Sequence, residues 1–199
     1  MGINHVTAEL LFEVSKRIDM SGSALTLGKQ EVTIQHRVFE GLLTRYGVQM
    51  QVPKLVDDKV LFDALGFSSL STLDISNYES ADLIHDLNLV VPENLHSKFN
   101  LIFDGGTLEH VFNLSGSLQN IFMMLKIGGA VIHESPSHNY IDHGFYSLSP
   151  TFFWDWYVSN NWDIVDCFLV ECRRDPNVKS KIYNYRPGSV DYLSRGGVG

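Results

Sequence analysis

Cysteine is almost absent from this chain: Cys167 and Cys172 are the two that 199 residues contain. Their odd-numbered separation in a strand-patterned segment turns the side chains to opposite faces, which disfavours a bridge, and both read as buried thiols. Long apolar runs are missing too. None approaches the roughly 20 residues that cross a bilayer, and no basic segment followed by a hydrophobic stretch and cleavage site opens the chain, so the expected location is cytoplasmic with no membrane partner. Basic residues are scarce, 15 against 23 acidic ones, for a formal net charge of -8. That balance excludes a general phosphate-binding surface, because non-specific nucleic-acid affinity comes from Lys and Arg displacing counterions, and no nucleic-acid partner is expected.

What is present suits a folded enzyme-sized domain. Hydrophobic residues make up 44% and charged residues 19%, enough apolar surface to offset ordering entropy. The length fits a single domain over 1–199, with a leading helix within 1–20 and a frayed tail from 187 that ends in Arg195–Gly199. After Thr7 as N-cap, Leu10, Leu11, Val14 and Ile18 recur at helical spacing. Ala24–Leu27 reads as a buried strand stopping at Gly28, and a helix lined by Ile34, Val38, Leu42 or Leu43, and Tyr46 ends at Gly47. A further helix covers Asp57–Leu65, and strands follow at Leu70–Ile75, Asp82–His85 and Phe99–Phe103. A helical pattern from Thr107 to Lys126, broken around Ser115 and Gly116, precedes a turn at Ile127–Gly129 and a strand at Ala130–Ile132. Ser149-Pro150 starts a helix with Phe152, Phe153, Trp156 and Tyr157 on a core-packing side. Runs at Asp163–Val170 and Lys181–Tyr185, separated by turn residues Arg173–Asn177, suggest a terminal antiparallel hairpin. Strands alternating with helices predict an α/β fold, a doubly wound, mostly parallel sheet.

In such sheets a ligand sits outside the carboxyl ends of the strands, near the point where strand order reverses. Four strand ends therefore carry the functional reading: Gly28-Lys29-Gln30, Asp74-Ile75-Ser76, Asp86-Leu87-Asn88 and Asp104-Gly105-Gly106. Glycine at the first either permits a strand-to-helix turn or lets a ligand approach the backbone, with the following helix offering its N-terminal amides. A carboxylate at Asp74 accepts both hydrogen bonds of a ribose diol, while Asp74 and Asp86 taken singly are also ordinary caps or turn formers. The first loop separates candidate cofactors. A dinucleotide needs several glycines around its pyrophosphate, which Glu31 would repel, whereas a sulfonium is attracted to acidic strand ends.

The stretches Leu27–Gln30, Leu73–Glu79, Ile84–Asn88, Phe103–Asn113 and His143–Pro150 together resemble class I S-adenosylmethionine-dependent methyltransferases. The likeness runs from Leu25 to about Asn161 and is nearest to a small bacterial subgroup associated with glycan clusters. It implies a Rossmann-like seven-stranded sheet with the last strand antiparallel. It also implies S-adenosylmethionine as cofactor, with its methionine part over Gly28, Lys29 and Gln30 and its ribose on Asp74 beside Ile75. Asp86 and Leu87 would then flank the adenine, with Asp104, Gly105 and Gly106 lining the cofactor and the reaction centre. The chain departs from the wider family in having one glycine where three closely spaced ones are usual, and in a longer stretch between Gly28 and Asp74.

Methyl transfer depends on alignment, aided by a base for the acceptor's proton, and His110 and His143 are the candidates because imidazole titrates near neutral pH. The acceptor is a small molecule or sugar-like compound under a loop from Ser135 to Ser147. A catalytically silent binding or scaffold module is the alternative, motivated by the single-glycine loop, and a nicotinamide-binding oxidoreductase a third. His133, Glu134, His138, Asp142 and His143 have metal-ligand chemistry but not the two-histidine helical spacing, and Pro136 interrupts the turn, so no metal site is expected. Glu109 reads as a residue favouring a helix N-terminus. The sequence leaves the oligomeric state open.

Overall fold

The computed structural model describes residues 2–172 and 179–190, which form two compact units. One comprises the residues up to Pro136 together with Ile141–Tyr146; the other comprises Ser137–Tyr140 together with the residues from Ser147 on. The turn at Arg173–Asn177 and the tail from residue 191, including Arg195–Gly199, lie outside the described residues.

In the first unit, α1 (His5–Val14) is capped by Asn4, whose side chain accepts from the amides of Val6 and Thr7. The cap thus falls three residues before the expected Thr7, which instead sits within the helix and donates its hydroxyl to Glu134 Oε1 at 2.8 Å. Strand β1 (Ser23–Leu27) leads through a long loop to α2 (His36–Tyr46), closed by Gly47 in the left-handed region. Then come α3 (Asp58–Leu65), capped by Asp57, β2 (Ser69–Asp74), the two-residue β3 (Leu83–Ile84) and β4 (Phe99–Gly105). A 3-10 turn at Leu108–His110 precedes α4 (Leu114–Met124) and β5 (Leu125–Glu134). The break expected in the helical pattern from Thr107 therefore falls at Val111–Asn113 rather than at Ser115 and Gly116, because the Asn113 side chain caps α4 by accepting from Gly116 N. The expected turn at Ile127–Gly129 lies within the bounds of β5 as an unpaired irregularity: Leu125 is level with Phe99, Gly128 has φ +79°, and pairing with β4 resumes at Ala130, level with Leu101.

The five strands form a parallel sheet in the order β3-β2-β1-β4-β5. Order reverses between β1 and β4. The buried apolar residues of α2 and α3 belong to one core cluster with α1, and those of α4 lie outside it. Ala24, Leu101 and Phe103 join Phe12, Phe39, Leu61 and Phe62 in one buried cluster, while the alternating Leu25, Leu27 and Ile102 are buried on the opposite face. The links from β2 to β3 and from β3 to β4 contain no α-helix, so the double winding is reduced on that side.

The second unit carries α5 (Pro150–Ser159), capped by Ser149, and a two-stranded antiparallel ribbon of β6 (Phe168–Glu171) and β7 (Lys181–Asn184). The resemblance implied one seven-stranded sheet; the described residues give a five-stranded parallel sheet and this separate ribbon. On α5 only Tyr157 is fully buried, packed against Trp156 and Trp162 with ring centroids 4.8 and 5.1 Å away. Cys167 is half-buried and Cys172 exposed, so the expectation of two buried thiols fails at the ribbon's edge. Among the described residues no helix is long and apolar enough to cross a membrane.

The loop after β3 is held by two buried side chains of α4, Ser117, which donates to Leu87 O at 3.2 Å, and Asn120. Asn120 of α4 donates to the carbonyls of Leu87 and Leu89 at 3.0 and 2.8 Å and accepts from Val91 N at 3.0 Å. Replacing Asn120 by Leu takes the acceptor from Val91 N and a donor from each of the two carbonyls, of which Leu87 O keeps Ser117 Oγ, so urea denaturation should show a loss on the order of 1 to 3 kcal/mol. A variant as stable as the parent would refute that clamp.

Candidate functional site

The parallel register sets four strand ends along one rim in the order Asp86, Asp74, Gly28, Asp104. Leu27 is level with Leu73 on one side and Asp104 on the other, and Asp74 is level with Ile84, two residues before Asp86. At the reversal of strand order, Gly28 donates its amide to Leu73 O at 2.8 Å and turns with φ +71°. A Cβ there would lie 2.9 Å from Thr107 Oγ1 and 3.9 Å from Asp74 Oδ2, so the ends of β1 and β2 and the segment after β4 meet around the missing side chain.

Asp74 is half-buried. Its Oδ1 accepts from Ser76 N at 3.1 Å while Oδ2 faces Gly28, and Ile75 beside it is 66% exposed. The neighbours of Gly28 turn elsewhere. Lys29 Nζ is held by both oxygens of the buried Asp58 at 2.8 and 2.7 Å. Gln30 is buried, its amide donating to Leu27 O and Gly28 O, and its Oε1 lies over Gly105, where a Cβ would come within 2.2 Å. Because α2 starts only at His36, the helix amides expected directly after Gly28 are not at this turn.

Asp86 accepts at Oδ1 from both the backbone and side-chain nitrogens of Asn88, which hold its carboxyl below the usual range. Leu87 is buried, and Asn88 binds the backbone and side chain of Asn113, so this loop is tied to the start of α4.

Asp104 is fully buried, and its carboxylate is committed to the protein. Oδ1 accepts from the amides of Thr107 and Leu108 at 2.9 and 3.2 Å, and Oδ2 pairs with His133 Nδ1 of β5 at 2.8 Å. Thr107 Oγ1 closes the arrangement by donating to Leu27 O at 2.6 Å. What this strand end offers a ligand is the backbone of Gly105 and Gly106, the latter with φ +89°.

The turn that Asp104 caps carries Glu109 and His110 outward to meet the segment 141–146. Glu109 O accepts from Phe145 N and Tyr146 N at 2.8 and 3.2 Å, and Tyr146 donates its hydroxyl to Phe112 O. The segment comes so near that a Cβ on Gly144 would lie 2.7 Å from Glu109 O. His143 Nε2 consequently sits 3.2 Å from Glu109 Oε1, and the His110 and His143 rings meet edge to face with centroids 4.8 Å apart. Burial pushes the Glu109 carboxyl above the usual range. His110, Asp142, His143, Gly144 and Phe145 line an open cleft of about 310 Å³.

Among the described residues, three buried side-chain atoms lack a hydrogen-bond partner: Gln30 Oε1, Glu109 Oε2 and Ser135 Oγ. They follow β1, β4 and β5, all at the carboxyl rim of the sheet. Of the residues singled out in the sequence, the structure gathers Gly28, Asp74 and the segment after Asp104 at one turn, and His110 with His143 at another. Lys29 is directed to Asp58, and Asp104 works as scaffold. Thr107 and Glu109 were passed over as site residues, since a threonine and a glutamate before a short turn have the signature of local helix capping.

No family model and no curated protein matches the sequence. Among solved structures, the trans-methyltransferase CalH in complex with SAH is similar at 16% identity and a TM-score of 0.40. The match covers 70% of this chain and 41% of CalH, so this chain spans less than half the length of that structure.

Asp104→Ala should lower stability by about 3 to 5 kcal/mol, since it removes the buried carboxylate on which His133 Nδ1 and the amides of Thr107 and Leu108 converge. Denaturation midpoints test this, and a loss under 1 kcal/mol would show that the carboxylate is not a scaffold.

Proposed function

We propose that this chain is an S-adenosylmethionine-dependent methyltransferase acting on a small-molecule or sugar-like acceptor. The observation that carries this reading is the convergence of Gly28, Asp74 and Thr107 at the reversal of a parallel sheet, where α/β folds hold their ligands, beside a second cluster of Glu109, His110 and His143.

The residues fit the cofactor. Gly28 leaves its turn without a side chain, and Asp74 turns one carboxylate oxygen toward it, suited to the hydroxyls of a ribose. Asp86 and the backbone at Leu87 border the adenine in this reading, and the bonds from Asn88 keep Asp86 ionised. Gly105 and Gly106 contribute backbone, and the unpartnered Gln30 Oε1 is an acceptor for an ammonium donor. Lys29, engaged by Asp58, takes no direct part. When bound, S-adenosylmethionine supplies an electrophilic methyl on a positively charged sulfur, which the formal net charge of -8 favours. Beyond β4, Glu109 orients His143, and with His110 they assist the loss of the acceptor's proton on the wall of the cleft.

One observation favours the second reading, a catalytically silent binding module. Gln30 is tucked over Gly105 in the crevice between β1 and β4, so the loop after Gly28 is closed by its own side chain. Calorimetry with S-adenosylmethionine separates the two readings, since heat of binding at millimolar cofactor supports the enzyme and its absence the module.

Asp74→Ala should weaken S-adenosylmethionine binding by about 1 to 3 kcal/mol; equal dissociation constants for variant and parent would overturn the ribose assignment. His143→Ala should lower turnover by more than it lowers cofactor affinity, and unaltered kcat would remove His143 from the reaction.

A further inference from the structure

We propose that Glu109, His110 and His143 form a binding site for one divalent transition-metal cation, with its open coordination positions facing the cleft.

The donor set is two imidazoles and a carboxylate, whose ligand atoms all lie within 4.8 Å of one another. Three such ligands and an open position are the pattern of catalytic zinc centres. Two atoms bound about 2.1 Å from a tetrahedral zinc stand roughly 3.4 Å apart. Glu109 Oε1 and His143 Nε2 are already at 3.2 Å. The ligand atom of the exposed His110 lies within 4.8 Å of both, so each of its separations has to shorten by no more than roughly 1.4 Å to reach that spacing.

A plain Glu–His hydrogen bond leaves part of this arrangement unexplained. The Glu109 side chain is 0% exposed, yet its Oε2 has no hydrogen-bond partner. A buried carboxylate short of donors is costly, and a cation relieves that cost. The ligands are also built in place. The turn bearing Glu109 and His110 is fixed by Asp104, and His143 is fixed by the amides of Phe145 and Tyr146 on Glu109 O. Such outer support is what a metal site needs to hold its ligands. Asp142 on the same cleft wall adds negative charge at the mouth.

The site stands on these residues alone; its use rests on the methyl-transfer reading. An acceptor hydroxyl taking an open position would lose its proton to solvent more readily, as metal-bound water does, and the imidazoles would then act as ligands.

The test is zinc titrated calorimetrically into full-length protein stripped with EDTA. One equivalent should bind, and His110→Ala and His143→Ala should each weaken it by at least about tenfold, the loss that disturbing even an outer partner causes. His110 is exposed, so its variant should match the parent's thermal midpoint in EDTA and remain informative even where a Glu109→Gln variant does not fold. Absence of zinc binding, or affinity equal to the parent's in both histidine variants, overturns the site. S-adenosylhomocysteine titrated into the same stripped protein reads the cofactor proposal separately: cofactor binding without zinc binding defeats the metal site alone, and zinc binding without cofactor binding defeats the methyl-transfer reading alone.

Discussion

The carboxylate of Asp104 holds the candidate site together. It lies at the end of a central strand with no exposure to solvent, and three donors from two segments converge on it. Two of them are the amides that open the turn at Leu108–His110, and the third belongs to His133 on the neighbouring strand. A buried carboxylate is stable only with that degree of pairing, so the turn has one low-energy course. Along that course Thr107 reaches back to Leu27 O and Glu109 and His110 face the segment 141–146. Both halves of the site, the turn at Gly28 and the imidazole–carboxylate cluster, therefore depend on a residue that touches neither proposed ligand.

The polar atoms at the rim show where the fold has given up stability. Gln30 Oε1, Glu109 Oε2 and Ser135 Oγ are buried without partners, although buried polar groups are nearly always paired. All three follow strands at the carboxyl edge, where binding sites of parallel sheets lie. At Glu109 the deficit coincides with two imidazoles and an open cleft.

Strand ends were legible because their signals are local. Ala24–Leu27 before Gly28, Asp57 before an apolar helix and Ser149-Pro150 before another each contain boundary and cause within a few residues, and the structure has them there. A boundary that failed involved a partner far along the chain. Asn4 displaced Thr7 as the first cap while Thr7 turned to Glu134. The direction of Lys29 followed the same rule, fixed by Asp58 nearly thirty residues on.

By itself the sequence determined the α/β class, the parallel sheet and the positions at which strands end in glycine or aspartate, because hydrophobic period and turn chemistry act between near neighbours. Only the tertiary structure decided which of those aspartates face outward. Asp74 and Asp104 have the same chemistry and the same place at a strand end, yet one stays half-buried beside Gly28 and the other is enclosed by His133 and two amides. The union of Glu109 and His110 with His143 is likewise tertiary. It rests on the close approach of Gly144 to a backbone carbonyl, a contact between residues distant in sequence that no local pattern encodes.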